Sequence, residues 1–139
     1  MGAKVIAAAS TPEKLALCKQ YGADEIINYS TEDLRVRVKE ITGGQGVDVA
    51  YDPVGGAAGV TAFRSLRPGG RFLVVGFAGG EVPAIPINLI LIKRSSVLGV
   101  FLGNWIIANE AVSRENMQEL CRFFVEGRID AHISARYPL

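Results

Sequence analysis

Short apolar runs alternate with amphipathic segments along this sequence, and that order constrains the fold more than any other feature. The apolar runs resemble strands that are covered on both faces of a parallel sheet. The segments between them carry apolar residues at helical spacing and are bounded by capping residues and glycines. Since parallel strands need crossover connections, helices are expected on both faces of the sheet. The sequence therefore predicts an α/β fold with a doubly wound parallel sheet.

The apolar runs predict strands over residues 3–9, 25–29, 47–52, 71–75 and 96–101. The first helix is well marked, because Ser10 or Thr11 can cap it, Pro12 fits its first turn and Gly22 can end it. Further helices are expected after a cap at Ser30 or Thr31, over residues 60–66, and from a cap at Ser113 to Glu126. In the last of these, the residues expected to face inward are Met117, Leu120, Cys121, Phe124 and Val125. Residues 67–70 read Arg-Pro-Gly-Gly and predict a turn.

Length and composition favour one packed domain, since the chain has 139 residues, 49% of them hydrophobic and 21% charged. The net charge of +1 comes from scattered residues and not from a basic stripe, so no nucleic acid partner is expected. Charged and hydroxyl residues at 93–96 divide the apolar stretch over 85–107 into halves too short to cross a bilayer. No secretory signal is recognised. A cytoplasmic location without membrane association is therefore expected.

Metal ligands are sparse in this sequence. Cys18 and Cys121 lie far apart in helix-like segments, where they are expected to be buried structural thiols, and His132 is the single histidine. These three residues do not have the clustered spacing of a zinc site. We therefore expect no metal and a reducing environment.

Glycines follow three successive predicted strands: Gly55 and Gly56 after the third, Gly76, Gly79 and Gly80 after the fourth, and Gly103 after the fifth. Parallel sheets bind ligands at the carboxyl ends of their strands, and glycine allows a ligand to approach the backbone closely. One such pair alone would be read as ordinary turn glycines. Their recurrence predicts a shared ligand cleft.

The end of the first predicted strand carries information about the ligand. Domains that bind NAD usually place an acid there to bond the adenosine ribose, but this chain has Ala9, Ser10 and Thr11. Lys14, one helical turn further on, could supply positive charge to a 2′-phosphate. The alternative is that Lys14 is a solvated helix residue.

Several motifs occur in a fixed order: Met1-Gly-Ala-Lys-Val-Ile, Ser10-Thr-Pro-Glu-Lys14, Gly22-Ala-Asp24, Ile27-Asn-Tyr29, Gly46-Val-Asp-Val, Tyr51-Asp-Pro-Val-Gly55 and Gly69-Gly-Arg-Phe. Together they resemble the medium-chain reductases, and among these the zinc-independent NADPH:quinone oxidoreductases. The resemblance implies hydride transfer from NADPH to a quinone, enone or similar acceptor, and a homodimer formed through the region from Ile87 to Phe101. It implies that the residues holding the adenosine 2′-phosphate are Ser10, Lys14 and Tyr29. It places along the cofactor cleft Val54, Gly55, Gly76, Phe77, Phe101 and Gly103. No catalytic residue is assigned.

The family's first strand, its glycine-rich pyrophosphate loop and its catalytic domain have no counterpart here. Residues 1–139 are therefore expected to form a partial nucleotide-binding domain, Rossmann-like in fold, with weak or no turnover as an isolated chain. In the strand order 3-2-1-4-5-6 the strand without a counterpart is central, so the strands at Ala3 and Val47 each lack a neighbour. These two edges either meet directly, or are joined by another chain, or leave a distorted cleft.

Two other functions are compatible with parts of the sequence. The apolar segment from Ile87 to Phe101 would suit a non-catalytic binding or oligomerisation module. Residues 66–70 followed by a strand resemble adenosylmethionine-dependent methyltransferases. The lack of an acid after the first strand speaks against a methyltransferase, because adenosyl donors also need their ribose hydroxyls bonded.

Overall fold

The computed structural model describes residues 2–138, which form two compact units with their boundary between Val100 and Phe101. The first unit contains β1 (Ile6–Ala9), α1 (Pro12–Gln20), β2 (Glu25–Asn28), α2 (Leu34–Ile41), β3 (Val47–Asp52), α3 (Gly56–Arg64), β4 (Leu66–Val74), α4 (Ile87–Lys93) and β5 (Ser96–Gly99). The second unit contains α5 (Leu102–Ala108) and α6 (Glu110–Val125). The alternation of strands and helices confirms the α/β prediction.

In the part of the chain that the structure describes, all strand pairs are parallel, and they form two sheets. One sheet contains β1 and β2, with Ile6 opposite Glu25 and Ala9 opposite Asn28. The other has the order β3-β4-β5, in which Phe72 lies between Ala50 and Val97. Over residues 2–138, β1 and β3 are not hydrogen-bonded to each other. Of the three arrangements considered for these two strand edges, the structure therefore does not show direct pairing of β1 with β3.

The first helix follows its sequence signals closely. Thr11 is the N-cap of α1, its Oγ1 accepts the backbone N–H of Lys14 at 3.4 Å, and Pro12 begins the helix. Leu15 is the buried residue of this helix. The preceding strand is shorter than predicted, since β1 begins at Ile6 and not at residue 3.

The cap of the second helix was predicted wrongly. Asp33, and not Ser30 or Thr31, caps α2, and its Oδ1 accepts the N–H of Val36 at 2.9 Å. The reason is that Asn28 organises a turn over residues 28–32, so that the helix starts later. Leu34 and Val38 are then buried together with other apolar side chains in a cluster centred on Ile27 of β2.

The third helix begins at Gly56, before the predicted range of 60–66. Gly55, with φ of 77°, turns the chain from β3 directly into this helix. Further along α3, Phe63 is fully buried and packs edge-to-face on Phe72 of β4, with ring centroids 5.8 Å apart. These rings and Leu66 form a second core cluster. The cluster fixes α3 against the sheet.

Residues 67–70, expected to form a turn, lie within β4, so the predicted boundary was wrong. The pairing nevertheless jumps from Val47–Leu66 to Val49–Arg71, which leaves these four residues out of register. Gly69 has φ of 78°, as a turn requires. The sequence therefore predicted the turn geometry at residues 67–70, but not that β4 continues on both sides of it.

The carboxyl-terminal part departs most from expectation. The run after Pro86 is helix α4, β5 ends at Gly99, and α5 was not anticipated. Asn109 precedes α6, and Ser113 lies inside this helix, where its N–H bonds the Asn109 carbonyl at 2.9 Å. The residues expected to face inward on α6 are all exposed: Met117, Leu120, Cys121, Phe124 and Val125.

The two thiols differ from the prediction as well, because Cys18 is half-buried and Cys121 is exposed. Within residues 2–138, no helix has the length and apolar character needed to cross a membrane.

Candidate functional site

The connections that follow β1 and β2 lie side by side. The backbone N–H of Tyr29 donates to the carbonyl of Ala9 at 3.1 Å, which extends the parallel pairing beyond the strands. The hydroxyl of Ser30 then donates to the carbonyl of Ser10 at 3.0 Å. These two hydrogen bonds bring the segments that carry Ser10 and Tyr29 next to each other in one group, while their binding of a phosphate stays a prediction.

Lys14 lies in the first turn of α1, close along the chain to that group, and its side chain is exposed. Its neighbour Glu13 adds an opposite charge. Hydrogen bonds from its own backbone N–H and from the Thr11 hydroxyl hold the pKa of Glu13 below its ordinary value. At neutral pH the start of α1 therefore carries the ionised carboxylate of Glu13 next to Lys14, the residue predicted to bind the phosphate.

A second group forms where β3 and β4 end, and the buried residue Asp52 organises it. Its Oδ1 accepts the N–H groups of Val54 and Gly55, both at 3.0 Å. Its backbone carbonyl accepts the N–H groups of Val75 at 3.0 Å and of Gly76 at 3.4 Å. One residue thereby fixes the connections after both strands.

Further backbone hydrogen bonds join these two connections along their length. Ala78 donates to Pro53 at 3.0 Å and Gly79 donates to Val54 at 2.9 Å. Glu81 accepts the N–H of Gly56 at 2.8 Å. We call these two joined connections, residues 53–56 and 75–81, the lip. The lip is closely packed, because a Cβ at Gly79 would lie 3.0 Å from the Val54 carbonyl.

Four of the predicted cofactor-cleft residues meet in this lip: Val54, Gly55, Gly76 and Phe77. Gly55 is buried, and a Cβ built on it would approach the Phe77 ring to 3.0 Å. Phe77 itself is 42% exposed, which leaves much of its ring open to a ligand. The glycines here were predicted from the sequence, whereas Asp52 was not, because its burial and its two backbone hydrogen bonds are seen only in the structure.

A cleft of about 420 Å³ lies between the connection after β2 and the amino-terminal half of α3. Tyr29 and Glu32 line one side, and Ala57 and Thr61 line the other. The cleft therefore connects Tyr29, from the first group, with the helix that starts beside Gly55. Nothing in the sequence pattern indicated it, because the two sides are brought together only by the packing of α2 near α3.

The two remaining predicted site residues belong to the second unit. Phe101 is exposed and precedes α5, and Gly103 lies in the first turn of that helix. Their place in the cofactor cleft stays a prediction.

Parallel strands with glycine-rich connections at their carboxyl ends, joined by helices, define a nucleotide-binding domain of the Rossmann class. The family model for zinc-binding dehydrogenases matches residues 1–126. The chain belongs to this family.

Relatives of known name and structure agree with that assignment. A quinone oxidoreductase-like protein 2 from Bos taurus is 41% identical over 137 residues, which are 99% of this chain and 39% of the relative. A 2-haloacrylate reductase from a Burkholderia species is 33% identical over 140 residues, covering 100% of this chain and 42% of that protein. The crystal structure of Escherichia coli quinone oxidoreductase complexed with NADPH aligns with a TM-score of 0.84 and 31% identity over 96% of this chain and 41% of that one. These likenesses confirm the resemblance to quinone oxidoreductases.

The chain thus spans about two-fifths of the length of the relatives it matches. The family's name refers to zinc, but the residues that the structure describes offer no group of three or more His, Cys, Asp or Glu side chains able to hold a metal ion. Residues 2–138 do not fit a zinc site.

Proposed function

We propose that this chain is the NADPH-binding portion of an oxidoreductase that transfers hydride from NADPH to a quinone, an enone or a similar electron-poor acceptor. The observation that carries the proposal is the pairing of the connections after β1 and β2. This pairing places Ser10 near Tyr29 at the carboxyl ends of two parallel strands. Since Ser10 stands where NAD-binding domains usually have an acid, this position can accept a phosphate.

At the adenosine end, Ser10, Lys14 and Tyr29 hold the 2′-phosphate. The Ser10 and Tyr29 hydroxyls donate hydrogen bonds, and Lys14 supplies a compensating charge. The exposure of Lys14 suits this role, because its flexible side chain can reach an anion without losing a partner that the fold requires.

At the other end, the lip formed after β3 and β4 borders the rest of the cofactor. Val54, Gly55 and Gly76 present backbone close to the cleft, and Phe77 offers an exposed ring face. Phe101 and Gly103 are proposed as further cofactor-binding residues of this chain. The hydrogen bonds of Asp52 hold the lip in one conformation before any ligand arrives, so less ordering is needed on binding.

Bound NADPH supplies the hydride, and the side chains of this chain bind and orient it. The class of acceptor is supported by the relatives, since one is named a quinone oxidoreductase-like protein and another a 2-haloacrylate reductase. No residue here is assigned to the chemical step. The isolated chain is expected to show weak or no turnover, without a need for zinc.

The region from Ile87 to Phe101 is proposed to form a homo-oligomeric interface. The α4 residues Ile87, Leu91 and Ile92 are 81%, 79% and 71% exposed, and β5 lies at an edge of its sheet. Exposed apolar side chains next to an open strand edge are typical of association surfaces. Two free cysteines are consistent with a reducing, cytoplasmic setting.

Calorimetric titration with NADPH, NADH and an adenosylmethionine analogue tests the cofactor proposal. We expect NADPH to bind more tightly than NADH and the analogue not to bind. Tighter binding of the analogue would favour a methyltransferase. Absence of all binding in a chain that still self-associates would favour the non-catalytic module.

A further inference from the structure

Ser30 connects two segments that lie 20 positions apart in the sequence. Its hydroxyl donates to the carbonyl of Ser10 at 3.0 Å. The backbone bond from Tyr29 to Ala9 next to it continues the strand pairing, whereas the Ser30 bond depends on the side chain. A serine-to-alanine change would therefore remove it while leaving the strand pairing in place.

A chain of polar contacts from α2 holds Ser30 in position. The N–H of Ser30 donates to Asn28 Oδ1 at 3.0 Å, and the N–H of Asn28 donates to Glu32 Oε1 at 2.9 Å. The other carboxylate oxygen of Glu32 forms an ion pair with Arg37 Nε at 2.9 Å. We call these four residues, Asn28, Ser30, Glu32 and Arg37, the Ser30 brace. The brace joins α2 to the connection after β1.

The bond to the Ser10 carbonyl has a geometric consequence. A peptide group is planar, so fixing the direction of the Ser10 carbonyl also fixes the N–H of Thr11 on the opposite side. Thr11 caps α1, and Lys14 lies in the first turn of that helix. Ser30 thus sets the direction of Ser10 and of the start of α1 relative to Tyr29.

The Ser30 brace also affects the charge close to Tyr29, because it contains Glu32 and Arg37. Glu32 lines the same cleft as Tyr29, where its carboxylate would repel a nearby phosphate. Arg37 offsets that charge in part, because its guanidinium pairs with Glu32 and also with Glu40. A phosphate held beside Tyr29 therefore meets a carboxylate whose charge is partly offset.

Building on the proposed function, we propose that Ser30 is a positioning residue that sets the preference for the 2′-phosphorylated cofactor. Its hydroxyl holds the Ser10 carbonyl so that Ser10, Lys14 and Tyr29 converge on the phosphate. Ligand parts beyond the 2′-phosphate do not depend on this bond. A purely structural tie would affect phosphorylated and unphosphorylated ligands alike, and this difference makes the role testable.

The test uses adenosine 2′,5′-bisphosphate and 5′-AMP, which differ in the 2′-phosphate. Their dissociation constants are measured by calorimetry for the parent chain, Ser30→Ala, Ser30→Thr and the control Thr31→Ala, whose hydroxyl bonds only Asn28 O at 3.5 Å. Ser30→Ala should weaken the bisphosphate about three- to tenfold, the loss of one neutral hydrogen bond, and leave 5′-AMP unchanged. Ser30→Thr and Thr31→Ala should behave like the parent. Equal losses for both ligands in Ser30→Ala, or no loss, would overturn the specificity role.

A second measurement on the ligand-free chains separates this role from the proposed function. In Ser30→Ala the amide resonance of Thr11 should shift in a nitrogen–proton correlation spectrum, because the carbonyl of its own peptide group loses a donor. An unchanged Thr11 resonance contradicts the positioning role even if the parent prefers the bisphosphate. A parent chain without that preference contradicts the proposed cofactor, and with it the specificity role, even if the Thr11 resonance shifts.

Discussion

The buried carboxylate of Asp52 accepts the backbone N–H of Gly55 at 3.0 Å, so the residue that ends β3 also fixes the turn that starts α3. The same oxygen accepts the N–H of Val54. On the far side of the carboxylate, Oδ2 lies where Gly59 would carry a side chain. Strand, turn and helix are thereby held around one charged group.

Replacing Asp52 with Ala should be strongly destabilising. Two backbone N–H groups would lose a charged acceptor in a buried place, which costs about 2–4 kcal/mol in the free energy of unfolding. Asp52→Asn keeps one carbonyl oxygen and should lose clearly less. Urea unfolding monitored by circular dichroism measures both. Equal stability of the parent and Asp52→Ala would show that the carboxylate does not hold the turn.

Gly55 and Gly80 form a matched pair for testing the tightness of the lip. Both have positive φ, 77° and 84°, but a Cβ at Gly55 would lie 2.6 Å from the Glu81 carbonyl, whereas a Cβ at Gly80 meets nothing within 4 Å. Gly80→Ala should cost about 1–2 kcal/mol, the strain of a left-handed backbone. Gly55→Ala should cost more and should also weaken NADPH. If the two variants unfold at the same urea concentration, the close approach at Gly55 carries no energy.

The sequence was most informative where local signals and burial agree. The bounds of β3 were predicted correctly, because 47–52 is a compact run between Gly46 and a Pro-Val-Gly-Gly turn. Thr11 and Pro12 likewise marked the start of α1, since capping depends on residues close in the chain.

The sequence was least informative where the structure depends on contacts between residues that are distant in the chain, or on contacts that compete with a local pattern. Ser30 was predicted to cap a helix, yet its hydroxyl donates to the carbonyl of Ser10 in the connection that follows the neighbouring strand. The apolar stripe of α6 predicted a packed face, but helical spacing does not say what covers that face, and Phe124 is exposed. The cleft beside Tyr29 depends on the approach of α2 to α3, which no local pattern encodes.

Lys93 should give stability an alkaline pH dependence. Its ammonium group donates to the carbonyl of Leu66 at 2.5 Å. Partial burial, and then the nearby charges of Arg35 and Lys39, lower the pKa of Lys93. The folded chain therefore releases this proton at lower pH than the unfolded chain does, and the free energy of unfolding should rise with pH between the lowered pKa and that of an ordinary lysine.

The matched variant is Lys93→Met, which keeps much of the apolar stem and cannot titrate. Urea midpoints of both proteins between pH 7 and 10 should show the parent gaining stability relative to the variant as pH increases. Parallel pH profiles would contradict the role assigned to Lys93.

Association is tested by placing a charge in the proposed interface. Val100→Asp should shift the population toward monomer, or cause precipitation, because burying an unpaired carboxylate opposes the contact. Val36→Asp, at an exposed position on α2, is the control and should leave the assembly unchanged. Light scattering at high micromolar concentration measures both. A parent chain that is a stable monomer there would exclude the interface.

The most direct measurement compares NADPH and NADH binding to the parent chain and to Lys14→Ala by calorimetry. Lys14→Ala should lose about 1–3 kcal/mol of NADPH binding free energy, as expected for a charge-assisted phosphate contact, and should bind NADH as the parent does. Lys39→Ala, which removes the same charge from the end of α2, should change neither affinity. Equal losses for NADPH and NADH in Lys14→Ala, or a parent chain that binds NADH as tightly as NADPH, would contradict the assignment of the 2′-phosphate to Ser10, Lys14 and Tyr29.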